Sequence, residues 1–235
     1  MTAARSEARS PVEAEVRSPV EAAVRSPVEN VRLRARRRAD LLAAARTLFL
    51  AHGVDAVTVE QIADHAAVTR RTVYRYFPSR DHIALAIEAE ILDRWAGLAE
   101  RAAQALSGDG AQRLAGYLDR VEALVDGAAE EIGFTRVFDA TALGALDDCA
   151  EAHAYAAAIR RLQAPLVGIL RAGAADGSLA VPEPVELTAA TIANGYLALA
   201  QRVHGRGEAI TGEQGVSARD MLPAYAALIR RGLRP

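Results

Sequence analysis

The stretch Thr58-Val59-Glu60-Gln61-Ile62-Ala63-Asp64-His65-Ala66-Ala67-Val68-Thr69-Arg70-Arg71-Thr72-Val73-Tyr74-Arg75-Tyr76-Phe77-Pro78-Ser79 decides the fold. Thr58 to Gln61 is a capping-box sequence, in which a threonine hydroxyl and a glutamine three residues on satisfy each other's backbone N–H groups. It predicts a short helix reaching about His65. Ala66 to Thr69 reads as a tight turn. Thr69 then caps a second short helix, Arg70 to Phe77, which Pro78-Ser79 ends. Ile62, Ala63, Ala66, Val68, Val73 and Phe77 are the small or apolar positions that let the two helices cross closely, so residues 58–77 read as a helix-turn-helix.

Turned at about 100° per residue, the second helix carries Val73 and Phe77 inward and Arg71 and Arg75 outward, flanked by Thr72 and Tyr74. Such a face suits a DNA major groove, where arginine makes paired bonds to guanine O6 and N7 and hydroxyls reach phosphates. The plain alternative is a surface helix solvated by its arginines. The capped preceding helix, the turn and a basic lead-in (Arg32, Arg34, Arg36, Arg37, Arg38) weigh against it.

Outward from this motif the chain reads as helix throughout. Leu41, Leu42, Ala45, Leu48 and Phe49 recur at helical spacing from about Arg34, and His52-Gly53 supplies a glycine for the residue beyond the helix end. Ser79 is placed to cap a longer helix with Ile83, Ile87, Ile91, Trp95 and Leu98 on one side. Beyond Ser107 to Gly110, five further helices are predicted, over about 111–126, 129–146, 149–176, 184–204 and 217–232. A glycine-rich loop from Gly205 to Gly215 separates the last two. The expected fold is all-α, with about nine helices. Three of them form an N-terminal helix-turn-helix head over residues 34–101 together with a linking helix, and a helical body occupies residues 109–235.

Composition agrees. Alanine is abundant, aromatics are 5% of residues, and β-branched runs are nearly absent. Cys149 is the only cysteine, which excludes an internal disulfide and a cysteine-based zinc site. No segment approaches the ~20 apolar residues of a membrane span, and the polar start does not read as a signal peptide. A soluble cytoplasmic protein is the expectation. The net charge of −2 conceals an asymmetry. Residues 31–80 hold ten arginines against four acids, and residues 81–235 hold fourteen against twenty-one. A basic head on an acidic body implies that the head meets a polyanion. The first thirty residues repeat an octad: RSPVEAEV from Arg9, RSPVEAAV from Arg17, RSPVENVR from Arg25. A proline in every octad argues for a disordered tail over residues 1–33, with a docking or phosphorylated tail on the Ser-Pro pairs as the alternative.

Ala44 to Phe49, His52-Gly53, Thr58 to Ala63 and above all Val68 to Arg80, with Thr-Val-Tyr-Arg-Tyr-Phe followed by Pro-Ser, closely resemble the TetR family of bacterial regulators over roughly sixty residues. The resemblance implies an all-α homodimer whose heads read a palindromic operator in double-stranded DNA. It also implies a variable body that binds a small effector and forms the dimer interface, with repression as the default outcome. Matched by position, Thr58, Thr72 and Tyr76 resemble phosphate contacts, and Arg70, Arg71, Tyr74 and Arg75 the base-facing set. Arg80 stands where the family has a phosphate-contacting lysine. Two positions depart from the family: Ala67 replaces a turn glycine, at a cost of about 1–2 kcal/mol if the residue is left-handed, and Arg71 replaces a residue that is often small.

In the body, Tyr117, Phe134, Phe138, Tyr155 and Trp95 are candidates to line an effector pocket, although aromatics at helical spacing also build ordinary core. His153 joins them as an effector candidate. It lies four residues from Cys149, but the pair lacks the partners a metal or nucleophile site needs, and no cofactor is called for. Leu187, Ile192, Tyr196, Leu199, Tyr225, Leu228 and Ile229 fit either a dimer bundle or core. Three readings of function remain open: a repressor released by a small molecule, a regulator answering to a partner protein or to nothing, and an all-helical enzyme with a decorative head. The last lacks any catalytic constellation.

Overall fold

The computed structural model describes residues 27–141 and 148–235. Two compact units divide the chain at Arg36 and Arg37. The expected tail falls mostly on residues 1–26, outside the described residues. Among those described there is no strand, and nine α-helices are present. They are α1 (Pro27–His52), α2 (Val59–His65), α3 (Arg70–Tyr74), α4 (Arg80–Gln104), α5 (Gly110–Asp126), α6 (Ala129–Asp139), α7 (Ala150–Asp176), α8 (Val185–Gln214) and α9 (Met221–Gly232). Helix α1 begins at Pro27, seven residues before the sequence-based start, with Glu29 in its first turn. Proline lacks the N–H that a first turn leaves unpaired, so the proline of the third octad starts a helix instead of interrupting one.

Within Arg37–Pro235, α4 is the axis. Its first half, Ile83 and Ile87, closes a buried cluster with Leu41, Phe49, Ile62, Val73 and Phe77. Its second half meets the body cluster of α5, α7, α8 and α9, built on Leu114, Leu118, Ile169, Leu170, Ile192 and Leu222. Trp95 packs against both clusters. Phe134 and Phe138 of α6 belong to the first cluster, so head and body share core and the expected boundary near 101–109 is no seam in the packing. At the crossing of α5 and α7 backbones meet directly: a Cβ on Gly110 would lie 2.0 Å from the Cα of Gly173.

Three element ends differ from expectation. Helix α3 stops at Tyr74, because Tyr76 N–H and Phe77 N–H both turn back to the carbonyl of Val73 ahead of Pro78. Helix α6 stops at Asp139, and the remainder of its predicted span falls largely on residues 142–147, outside the described residues. The predicted loop from Gly205 to Gly215 is helical as far as Gln214, with one non-helical residue, Arg206 at φ −142°. Each interior glycine costs a helix about 1 kcal/mol relative to alanine. Burial of Ile210, a Thr211 hydroxyl bond to the Gly207 carbonyl (3.0 Å) and an Arg206–Glu213 ion pair (2.8 Å) offset that cost.

Candidate nucleic-acid interface and body cavity

The caps that set α2 and α3 form as their sequences require. Gln61 N–H donates to Thr58 Oγ1 at 3.2 Å while Thr58 N–H donates to Gln61 Oε1 at 2.8 Å, and Thr72 N–H donates to Thr69 Oγ1 at 3.2 Å. Val68 N–H reaches the Ala63 carbonyl at 2.9 Å and closes the turn. Ala67 within it has φ +51°, so the left-handed conformation is adopted without the glycine that would make it easy. Ala67→Gly is therefore expected to stabilise the chain by about 0.5–1 kcal/mol, the relieved strain exceeding the entropy that glycine loses on folding. Urea unfolding of the two proteins checks this; a loss of stability would show that the methyl makes contacts worth more than the strain.

Val73 and Phe77 are buried, and Arg71, Tyr74 and Arg75 are exposed on the other side of α3. Arg71 and Arg75 have no acidic partner among the described residues, and the Arg75 guanidinium sits 5.3 Å from the centre of the Tyr76 ring. That leaves two cations and a phenol presented outward by a helix too short to bend, in reach of a groove. Two of the other predicted contacts are engaged within the chain. Arg70 pairs with Glu60 of α2, and this guanidinium bond holds the Glu60 carboxyl below its ordinary range. Arg80 donates to the carbonyl (2.6 Å) and carboxylate (3.1 Å) of Asp55 and to Asp81 (3.1 Å), tying the start of α4 to the loop before α2. Arg38, which pairs with Glu90, lies over the Phe77 ring at 5.3 Å. Thr58 and Thr72 carry their hydroxyls at the caps, where each oxygen already accepts or shares a bond.

The body holds a cavity of about 370 Å³, open to solvent on one side, between α4, α5, α6, α7 and α8. Its wall is mostly apolar, Leu92, Val121, Ile132, Leu166 and Ile192 among it, with Trp95, Tyr117, Tyr155 and Tyr196 as aromatics. Trp95 is the chain's only tryptophan, and its indole N–H donates to Glu131 Oε2 at 2.8 Å. Two carboxylates belong to the wall. Asp139 is exposed and accepts from Gln201 at 2.8 Å. Glu88 is 3% exposed, and its Oε2 has no hydrogen-bond partner. Burial, and secondarily the charge of Asp139, pushes the Glu88 carboxyl up to about 8. Burial likewise pushes the Tyr117 phenol up to about 12. The Tyr196 hydroxyl is also buried without a partner.

Of the effector candidates, Trp95, Tyr117 and Tyr155 line this cavity. Phe134 and Phe138 do not: they are core side chains, Phe134 against Phe49 at 6.5 Å and Phe138 against Tyr155 at 5.8 Å between ring centres. His153 is exposed on the surface and pairs with Asp148 at 2.7 Å, one turn from the α7 N-cap that Cys149 provides. The residue missed was Glu88. Its signal lay in the sequence: an acid at helical spacing within the stripe of Ala84, Leu92 and Trp95, where α4 otherwise turns apolar side chains inward. His82, Cys149 and Glu151 also come within 4.8 Å of one another, a grouping that the spacing of Cys149 and His153 did not suggest. Among the described residues no helix is long and apolar enough to cross a membrane.

Residues 41–87 match the family of bacterial regulatory proteins named for tetR. The HTH-type transcriptional regulator TcmR of Streptomyces glaucescens is 46% identical over 50 residues, which are 21% of this chain and 22% of that protein, so the likeness spans about a fifth of the curated relative's length. A putative tetR family transcription regulator from Shewanella sp. PV-4 shares the fold with a TM-score of 0.65 at 18% identity, over 85% of this chain and 98% of its own. The transcriptional regulator FadR of Bacillus subtilis, solved in complex with stearoyl-CoA, does so with a TM-score of 0.60 at 17% identity, over 82% and 97%.

Proposed function

From a head that belongs to the tetR family of bacterial regulatory proteins, we infer that the chain is a sequence-specific DNA-binding regulator, a repressor that a small molecule bound in the body releases. The observation that carries this reading is the outer face of α3. Arg71 and Arg75 project from a capped helix-turn-helix with no acid of the described residues to neutralise them. The body cavity supports the effector half. Glu88, Leu92 and Trp95 of α4 line it, and α4 starts three residues after Phe77, so a displacement of α4 by an occupant is carried straight to the head. In a homodimer on a palindromic operator, the two heads must sit about 34–36 Å apart, and a change in that spacing releases the DNA. Leu187 and Leu228, exposed at 61% and 65% on α8 and α9, fit the dimer face that the family relationship implies. The complex of the Bacillus regulator with stearoyl-CoA favours a lipophilic effector in this fold. A CoA moiety, however, brings phosphates, and no arginine or histidine of the described residues lines this cavity.

The test is binding to DNA from the gene's own upstream region, titrated with salt. Neutralising several phosphates demands a steep fall in affinity as salt rises, and a flat response would sink the DNA reading. Arg75→Ala is expected to relax preference at one base pair by ~1–3 kcal/mol, whereas a uniform loss across sequences would reassign Arg75 to the phosphates. Arg80→Ala is expected to weaken all sequences alike. Its bonds to Asp55 add a route to that effect, through the fixing of the loop before α2.

A further inference from the structure

We propose that the body cavity recognises an organic cation, an amine or ammonium on an apolar frame, with Glu88 and Asp139 as its counter-charges. The inference rests on the effector reading above and narrows it to a chemical class.

The charge of the wall is one-sided. Two carboxylates face the cavity and, among the described residues, no cationic side chain does; the chain has no lysine at all. An anionic effector would meet no cationic side chain among the described residues and would lie beside the Asp139 carboxylate, and desolvating an unpaired carboxylate or phosphate there is costly. Glu88 points the same way from a different observation. A glutamate 3% exposed with an unpartnered oxygen is rare, since buried polar atoms nearly always find a bond. An ammonium N–H supplies the missing donor to Oε2 and the opposite charge together, and charge-assisted bonds of this kind are about twice as strong as neutral ones. The Glu88 proton then passes to solvent, leaving carboxylate and ammonium paired. Asp139, exposed and on the same wall, offers a second negative charge that would favour entry of a cation. Trp95 and Tyr155 supply π-faces that attract cations, and the apolar remainder takes the frame. At about 370 Å³, the space is of the size that holds small organic ligands.

The experiment uses the full chain and three probes with one tail: octylammonium, octanol and octanoate, each below its micellar concentration at pH 8. Trp95 is the only tryptophan and lines the cavity, so its fluorescence reads occupancy directly. Octylammonium is expected to bind at least tenfold more tightly than octanoate, with octanol between. Glu88→Gln, which keeps the side chain's shape, is expected to abolish most of that preference, and Asp139→Asn to reduce it. Equal affinity for the three probes, tighter binding of octanoate, an unchanged preference in Glu88→Gln, or no fluorescence response to any probe would overturn the proposal. DNA affinity measured beside each titration separates this inference from the reading it rests on. Cation-selective binding that leaves DNA affinity unchanged upholds the cavity's chemistry and removes its role as a release switch. Release of DNA by octanoate or octanol alone upholds the switch and removes the cation.

Discussion

Phe77→Ala is expected to destabilise the chain by about 3–5 kcal/mol and to abolish binding to DNA. Phe77 is among the largest fully buried side chains, and it closes the cluster in which α1, α2, α3 and α4 meet. Removing its ring takes away apolar burial and leaves a void that neighbours such as Val73, Ile62 and Ile83 cannot fill without moving. It also strips the Arg38 guanidinium of the ring beneath it. The loss is a large share of the 5–15 kcal/mol by which a typical domain is stable. Because Phe134 and Phe138 pack into the same cluster, the head is not expected to melt alone, and unfolding should show one cooperative transition of reduced midpoint. Denaturant unfolding together with a DNA-binding assay measures both effects. A loss below about 1 kcal/mol with DNA binding intact would mean that the head does not depend on this packing.

Stability should also fall as pH rises from about 5 to 9, and Glu88→Gln should remove much of that fall. In the unfolded chain the Glu88 carboxyl has its ordinary value of 4.5, and in the folded chain burial and Asp139 raise it to about 8. Between these values the folded state binds the proton and the unfolded state does not, so the contribution is full below 4.5 and disappears as pH passes 8. At about 1.4 kcal/mol for each pH unit of that interval, the limit is on the order of 4–5 kcal/mol. Glutamine carries no proton to lose, and the variant should therefore be the more stable protein at pH 9 and nearly level with the parent at pH 5. A residual slope is expected from Glu122, whose carboxyl is also raised by partial burial and by Asp126 and Asp119. Unfolding free energies across this range, taken for both proteins, are the measurement. Parallel curves would show that Glu88 is not held protonated in the fold.

The parts of this protein that were legible in its sequence are those governed by neighbours a few residues apart. Thr58 with Gln61, and Thr69 with Thr72, are bonds between positions three apart, so the residue types alone call the helix starts. The same holds for the tight turn over Ala66 to Thr69, whose left-handed Ala67 only the family's turn glycine pointed to, and for the outward arginines of α3, which follow from helical rotation once Val73 and Phe77 are turned in. Local signals failed where distant contacts outweighed them. Glycines at 205, 207 and 212 argue for a loop, and a buried Ile210 makes the segment a helix.

The sequence by itself therefore determined the all-helical class, the helix-turn-helix and its basic face, because capping, rotation and backbone sterics act within one or two turns of chain. Only the tertiary structure decided which arginines that face keeps available. Arg70 and Arg80 are held by Glu60 and Asp55, ten and twenty-five residues away, and no spacing rule joins those pairs. Only the tertiary structure assembled the cavity as well, since five helices contribute its wall. It took Tyr117 and Tyr155 into that wall, left Phe134, Phe138 and His153 out of it, and set Glu88 there without a partner. The physical reason is one and the same: which groups are desolvated together depends on long-range packing, and desolvation is what gives a buried carboxyl its chemistry.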